Sequence, residues 1–77
     1  MEIRVIFYGV LAEVTGTTFM TYPGVASFDD LRKRISDEFP AVSNYKYRVC
    51  HNRVLVEAEP VLSDGDEVAF LPPFYGG

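Results

Sequence analysis

The C-terminal segment Leu71–Gly77, Leu-Pro-Pro-Phe-Tyr-Gly-Gly, combines residue types that suit a reactive chain end. Proline lacks a backbone N–H and has a fixed φ, so Pro72 and Pro73 are expected to end strand pairing and direct the chain away from a sheet. Glycine has no side chain, so Gly76 and Gly77 could enter a narrow tunnel in another protein. We therefore predict that the working group of this chain is the carboxylate of Gly77.

The predicted tail covers residues 72–77. It consists of Pro72, Pro73, Phe74, Tyr75, Gly76 and Gly77. Its last four residues can extend about 13 Å, which is enough to reach into the active-site cleft of a partner. Chain ends commonly fray, so a terminal Gly-Gly is weak evidence alone. Here it follows a rigid Pro-Pro and an aromatic pair, which favours a functional tail.

Side-chain catalysis has little support in the sequence. His51 is the single histidine and Cys50 is the single cysteine. A metal site needs several ligands at set spacing, so no metal is predicted. Nothing around Cys50 indicates a depressed thiol pKa, so an inert, half-buried thiol is expected.

Length and charge limit the partners. The 77 residues are enough for one domain, residues 1–77. The formal net charge of −4 argues against nucleic acid as a partner, which would need a basic stripe. No apolar run approaches the roughly 20 residues that span a bilayer, and no signal-peptide pattern precedes the first strand, so we expect no membrane association and a cytoplasmic location.

Periodicity predicts the elements that position the tail. The predicted strands cover residues 2–10, 17–22, 45–49, 54–57 and 67–71, and a helical turn covers residues 11–15. Ser27 is a predicted N-cap, and Phe28, Leu31, Ile35 and Phe39 recur at helical spacing before Pro40 stops the helix. A hairpin, a helix and further strands in this order predict an α+β protein of the β-grasp (ubiquitin-like) class, with a mixed sheet of about five strands on one main helix.

Two stretches then carry a family resemblance. They are Val5–Gly16, VIFYGVLAEVTG, and Leu62–Pro73, LSDGDEVAFLPP, which is followed by Phe74–Gly77, FYGG. Asn52 at the predicted hairpin turn also matches. With these stretches the sequence resembles the ThiS/MoaD-like sulfur carriers, in particular the small subunits of molybdopterin synthase, and Pro-Pro makes it less similar to the thiazole-pathway carriers.

The resemblance implies a reaction cycle. An E1-like adenylating enzyme uses ATP to activate the Gly77 carboxylate, and a sulfur donor converts it to a thiocarboxylate, a C-terminal 1-thioglycine. The tail then inserts into the large synthase subunit, and its sulfur is transferred to cyclic pyranopterin monophosphate in molybdenum cofactor synthesis. The catalytic side chains belong to the large subunit, so this chain binds no cofactor of its own.

The resemblance also implies a docking surface and an assembly. The large subunit grips an apolar face that corresponds to Tyr8, Leu55 and Leu71 here, and the complex is a heterotetramer. Strand alternation independently places Tyr8 and Leu71 opposite the core face. Ordinary sheet surface is the alternative interpretation, since scattered exposed apolar residues are common.

Other functions stay open from the sequence. One is sulfur carriage for another product, such as thiamine or thiolated tRNA. Another is a ubiquitin-like protein modifier that forms isopeptide bonds through Gly77. A plain β-grasp binding module with an incidental tail is the remaining alternative.

Overall fold

The alternation of apolar residues along the first and last strands produces the centre of a five-stranded sheet. The computed structural model describes residues 1–74. Its elements are β1 (Ile3–Phe7), α1 (Val10–Thr15), β2 (Phe19–Tyr22), α2 (Phe28–Glu38), a 3₁₀ helix (Pro40–Asn44), β3 (Arg48–His51), β4 (Val54–Val56) and β5 (Glu67–Leu71).

The strand order in the sheet is β2-β1-β5-β3-β4. The central strands β1 and β5 are parallel, with Val5 beside Val68. The other three neighbouring pairs are antiparallel. This mixed sheet of five strands, with α2 as the main helix, confirms the predicted β-grasp class.

Helix α2 begins where the sequence predicts. The Ser27 hydroxyl accepts a hydrogen bond from the Asp30 N–H at 3.1 Å, which satisfies one of the unpaired donors of the first turn. Phe28, Leu31 and Ile35 are buried on the face towards the sheet. The helix ends at Glu38, since Phe39 leaves the helical conformation directly before Pro40.

The core contains an aromatic cluster around Phe70 of the central strand β5. The Phe70 ring stacks on Phe7 at 5.9 Å and on Phe28 at 6.4 Å between ring centroids. The Tyr47 ring meets Phe70 edge-on at 5.2 Å. Burial raises the pKa of the Tyr47 hydroxyl, despite the nearby charge of Arg32. The last strand is therefore anchored in the core immediately before the predicted tail.

The first and third strands differ from the sequence-based prediction. Strand β1 ends at Phe7, because Gly9 adopts a φ of 56° that redirects the chain into α1. The predicted loop 41–44 is part of the 3₁₀ helix, in which the Val42 N–H donates to the Phe39 carbonyl at 3.0 Å. Strand β3 consequently begins at Arg48 rather than Tyr45.

The predicted turn at Asn52 is confirmed, and its side chain contributes a further contact. Asn52 and Arg53 have φ values of 49° and 70°, so the hairpin has a two-residue turn with both residues left-handed. The Asn52 side-chain oxygen also accepts from the Glu67 N–H at 2.9 Å. Asn52 therefore fastens the β3–β4 turn to the start of β5.

We expect Asn52→Ala to lower the free energy of unfolding by about 2 kcal/mol. The variant loses the side-chain hydrogen bond to the Glu67 N–H, and its Cβ is strained at a positive φ, with no polar side chain to offset that strain. Asn52→Gly loses the same hydrogen bond but adopts a positive φ without steric cost. Urea unfolding of both variants should therefore rank glycine above alanine by about 1 kcal/mol. An alanine variant as stable as the glycine variant would contradict this account of the turn.

Candidate functional site

The sheet face that points away from α2 carries a row of apolar side chains across all five strands. Strand register places Phe19 beside Ile6, Ile6 beside Ala69, Ala69 beside Cys50, and Cys50 beside Leu55. Residues opposite each other on neighbouring strands project to the same face. We call this set the apolar row.

A second row lies on the side of the apolar row that is nearer the C-terminal end of β5. Leu71 is beside Arg48, and the Tyr8 N–H donates to the Phe70 carbonyl at 3.1 Å, which places Tyr8 next to the end of β5. On the opposite side of the apolar row the face becomes polar, with Arg4 between Thr21 and Glu67. The apolar part of the face thus lies towards the end of the sheet from which the chain continues into Pro72.

The three predicted docking residues lie on one face of the sheet. Tyr8, Leu55 and Leu71 all lie on this face, in or directly beside the apolar row. Tyr8 and Leu55 are exposed, and Leu71 is half-buried. Their role as a docking surface stays a prediction.

Sequence reasoning missed two contributors to this face. Phe19 is 52% exposed, which makes it the most exposed aromatic side chain of the sheet face. Cys50 is half-buried near the centre of the row and was interpreted only as an inert thiol. The signal for Phe19 was available in the β1–β2 hairpin register, but both faces of residues 17–22 are apolar enough to hide the alternation.

The beginning of the predicted tail is part of the folded body. Strand pairing ends at Leu71, as the Pro-Pro sequence indicates, but Pro72 is fully buried. Pro73 and Phe74 are exposed. Tyr75, Gly76 and Gly77 lie outside the described residues, so the extended tail and the role of Gly77 stay predictions.

His51 has a structural partner. Its Nε2 atom lies 2.6 Å from a carboxylate oxygen of Asp66, which also accepts the Ser63 N–H at 2.8 Å. These bonds join the end of β3 to the turn before β5. Within residues 1–74, no group of three or more His, Cys, Asp or Glu side chains is arranged to hold a metal ion.

The hydrogen bond from His51, with that from the Ser63 N–H, lowers the pKa of Asp66 from 3.8 to about 2. Because the folded-state pKa lies below the unfolded value, the carboxylate stabilises the fold above about pH 4 and loses that contribution as the pH falls towards 2. We expect Asp66→Asn to flatten the dependence of unfolding free energy on pH across this window. Urea unfolding at a series of acidic pH values measures it, and equal slopes for wild type and variant would contradict the assignment.

No helix in the described part of the chain is both long enough and apolar enough to cross a membrane. The longest helix, α2, has 11 residues and carries charged side chains on its outer face.

Comparison with known proteins places this geometry in a family. The sequence model of the ThiS family matches residues 5–77 of this chain. Over 80 aligned positions the chain is 34% identical to the molybdopterin synthase sulfur carrier subunit of Escherichia coli (strain K12), which covers 97% of this chain and 99% of that protein.

Solved structures share the fold. The small archaeal modifier protein 1 from Methanosarcina acetivorans superposes with a TM-score of 0.80 at 23% identity, covering 99% of this chain and 96% of that one. A chain from the complex of subunits 1 and 2 of the molybdopterin-converting factor of Helicobacter pylori 26695 superposes with a TM-score of 0.74 at 21% identity, with full coverage of both chains. The matched family and the full-length similarity agree with the resemblance seen in the sequence, and the chain belongs to the ThiS family.

Proposed function

We propose that this chain is a sulfur carrier subunit of molybdopterin synthase that delivers sulfur as a thiocarboxylate on Gly77. The observation that carries the proposal is the apolar sheet face next to the end of β5, where the chain continues towards its Gly-Gly end. A carrier needs both parts, because its partner must hold the folded body while the chain end enters the reaction site. The similarity to the Escherichia coli carrier subunit over 97% of the chain supports the same function.

The chemistry requires activation of the Gly77 carboxylate. With an ordinary pKa of about 3.5 it is ionised at neutral pH and is a poor acyl donor. Attack of the carboxylate on the α-phosphate of ATP would release pyrophosphate and form an acyl adenylate. A sulfur donor then displaces AMP, and the product is a thiocarboxylate whose sulfur is a better nucleophile than the oxygen that it replaces.

The proposed docking partner of the apolar row is the large synthase subunit. The Helicobacter pylori chain of similar fold comes from a complex of subunits 1 and 2 of the molybdopterin-converting factor. In such a contact Phe19, Ile6 and Leu55 would bury apolar surface that water now covers. Each Å² of apolar surface removed from water contributes about 25 cal/mol of favourable free energy. Two copies of each subunit would complete the proposed heterotetramer.

The same surface and chain end would serve the other proposed partners in turn. An E1-like adenylating enzyme would bind the carrier before the synthase does, and the sulfur donor would act on the bound adenylate. We place this cycle in the cytoplasm, where ATP is available. The carrier itself holds no cofactor in this scheme, and its only modification is the C-terminal 1-thioglycine.

A second candidate function is protein modification through an isopeptide bond between Gly77 and a lysine. The specific observation in its favour is the fold shared with an archaeal modifier protein at a TM-score of 0.80. Sulfur delivery to thiamine or tRNA is a third use of the same chemistry. The full-length identity to a molybdopterin synthase carrier subunit favours the first function over both.

A reconstituted synthase distinguishes these functions. The assay combines the thiocarboxylated chain, the cognate large subunit and cyclic pyranopterin monophosphate. It measures the amount of dithiolene product and the fraction of Gly77 that has returned from thiocarboxylate to carboxylate. We expect product in proportion to the sulfur supplied. Absence of product, together with Gly77–lysine conjugates in the host, would replace the proposal with protein modification.

A further inference from the structure

The two edge strands of the five-stranded sheet differ in whether side chains hydrogen-bond to their outward-facing backbone groups. Strand β2 forms one edge, and there the Thr17 hydroxyl accepts from the Phe19 N–H at 3.3 Å and donates to the Phe19 carbonyl at 3.0 Å. Phe19 therefore has its backbone groups satisfied by its own chain. At Phe19 the β2 edge therefore offers little to an additional strand, while the register directs the backbone N–H and carbonyl of Thr21 outward.

Strand β4, at the opposite edge, has no such cover. Its hairpin has the two-residue turn Asn52–Arg53, and residues that flank such a turn, His51 and Val54, exchange backbone hydrogen bonds. The alternation of an antiparallel ladder then directs the N–H and carbonyl of Leu55 away from β3. Among residues 1–74, no side chain is hydrogen-bonded to the backbone of Leu55.

The sequence along this edge is self-complementary. Val54 and Leu55 are exposed apolar residues, and Arg53 and Glu57 lie two positions before and after Leu55. Arg53 is the last turn residue before β4, and Glu57 is the first residue after it. If two copies run antiparallel with Leu55 opposite Leu55, Arg53 of each copy lies at the end of the paired segment where Glu57 of the other copy follows its strand. A parallel arrangement would instead place the two Arg53 residues at the same end, where like charges are destabilising.

The charges at this edge are available for such a contact. The Arg53 Nε atom lies 3.9 Å from the Glu67 Oε2 atom, and the Arg48 Nη2 atom lies 3.8 Å from the Glu57 Oε1 atom. Both distances are close to the upper limit for an ion pair. The Arg53 and Glu57 side chains are almost fully exposed, where such pairs contribute little stability. Exchange of these partners for those of a second copy therefore has a small cost.

We propose that two copies of this chain associate through antiparallel pairing of their β4 strands, with the two-fold axis at Leu55, to form one continuous ten-stranded sheet. The backbone N–H and carbonyl of Leu55 in each copy bond to those of the other. Only three strand residues per chain take part, so the contact is smaller than a stable interface of about 1,200 Å² and the association is weak. This inference rests on the edge geometry and is independent of the proposed sulfur chemistry.

Pairing in this register has a consequence for the apolar row. Directly opposed residues project to the same face, so the two Leu55 side chains lie next to each other. The row from Phe19 to Leu55 then continues into the row of the second copy. The paired form presents two docking faces on one side of a single sheet.

The test is dilution of the full chain from the millimolar to the low micromolar range, followed by sedimentation velocity and by amide NMR shifts. We expect a concentration-dependent dimer, with shifts concentrated at Val54–Val56. Leu55→Pro removes the outward N–H at an edge position where proline is tolerated, and it should abolish association. Backbone shifts elsewhere in the sheet report whether this variant stays folded.

Charge exchange gives a sharper test that does not disturb the strand. Arg53→Glu should weaken association by about tenfold, because two attractive contacts become repulsive. The double variant Arg53→Glu/Glu57→Arg restores opposite charges and should recover the wild-type dissociation constant. Lys33→Glu on helix α2 makes the same change in net charge away from the edge and should leave association unchanged.

Three results would overturn the proposal. The first is a single monomeric species over the whole concentration range. The second is a set of dilution shifts centred on Phe19 and Ile6, which would assign association to the open face. The third is failure of the double charge exchange to recover the association that Arg53→Glu weakens.

Discussion

Removal of Gly77 is expected to abolish sulfur transfer and to leave the fold intact. The proposed acyl group is the terminal carboxylate, and an extended residue spans about 3.5 Å, so truncation withdraws this group from the reaction site by that distance. The buried core of the described chain ends at Pro72, well before the deletion. A reconstituted synthase assay measures the activity, and a thermal melt of the same sample measures the fold.

A one-residue extension provides the matched control. Addition of a glycine after Gly77 keeps every native residue but moves the carboxylate outward by about 3.5 Å. Both the shortened and the extended chain should therefore be inactive with unchanged melting temperatures. Full activity in the shortened chain would show that Gly77 does not carry the sulfur.

Aspartate substitutions on the apolar row, and at Leu71 beside it, are expected to weaken binding to the large subunit by roughly thirtyfold to several hundredfold. A charge buried without a partner in a contact costs about 2–4 kcal/mol, and about 1.4 kcal/mol corresponds to a factor of ten. Phe19→Asp is the cleanest variant, because this side chain is already 52% exposed in the free protein. Leu55→Asp and Leu71→Asp test the residues that the sequence predicts, and titration calorimetry against the large subunit measures all three.

Val61→Asp is the control for this series. Val61 is 90% exposed and lies in the loop before Leu62, outside the strands that form the apolar row. It makes the same apolar-to-charged change, so its affinity should equal that of the wild type. Equal affinity of a folded Phe19→Asp variant would mean that the open face is ordinary sheet surface.

Local sequence signals predicted most of the scaffold because they act over short distances. The alternation of Ile3, Val5 and Phe7 depends only on the strand period. The Ser27 cap depends on a hydrogen bond to an N–H three residues away, and it is present in the structure. Such signals located the sheet face that carries Tyr8 and Leu71.

The features that escaped prediction depend on residues far apart in the chain. Proline chemistry predicts that pairing ends at Pro72 and that the chain turns away from the sheet, but Pro72 itself is buried in the folded body. The position of Phe19 on the open face follows from its register with Ile6, which residues 17–22 do not reveal by themselves. The open edge at β4 becomes evident only when the strand order of the whole sheet is known.

The central claim, that Gly77 carries sulfur, is tested most directly by intact-mass and fragment-ion spectrometry after incubation with the cognate adenylating enzyme, ATP and a sulfide source. The account predicts one oxygen-to-sulfur exchange per chain, located at the C-terminal glycine. Gly76→Ala should slow the exchange, because a methyl group would obstruct a tunnel that fits bare backbone. An unchanged mass, or added sulfur that maps to Cys50 as a persulfide, would contradict the account.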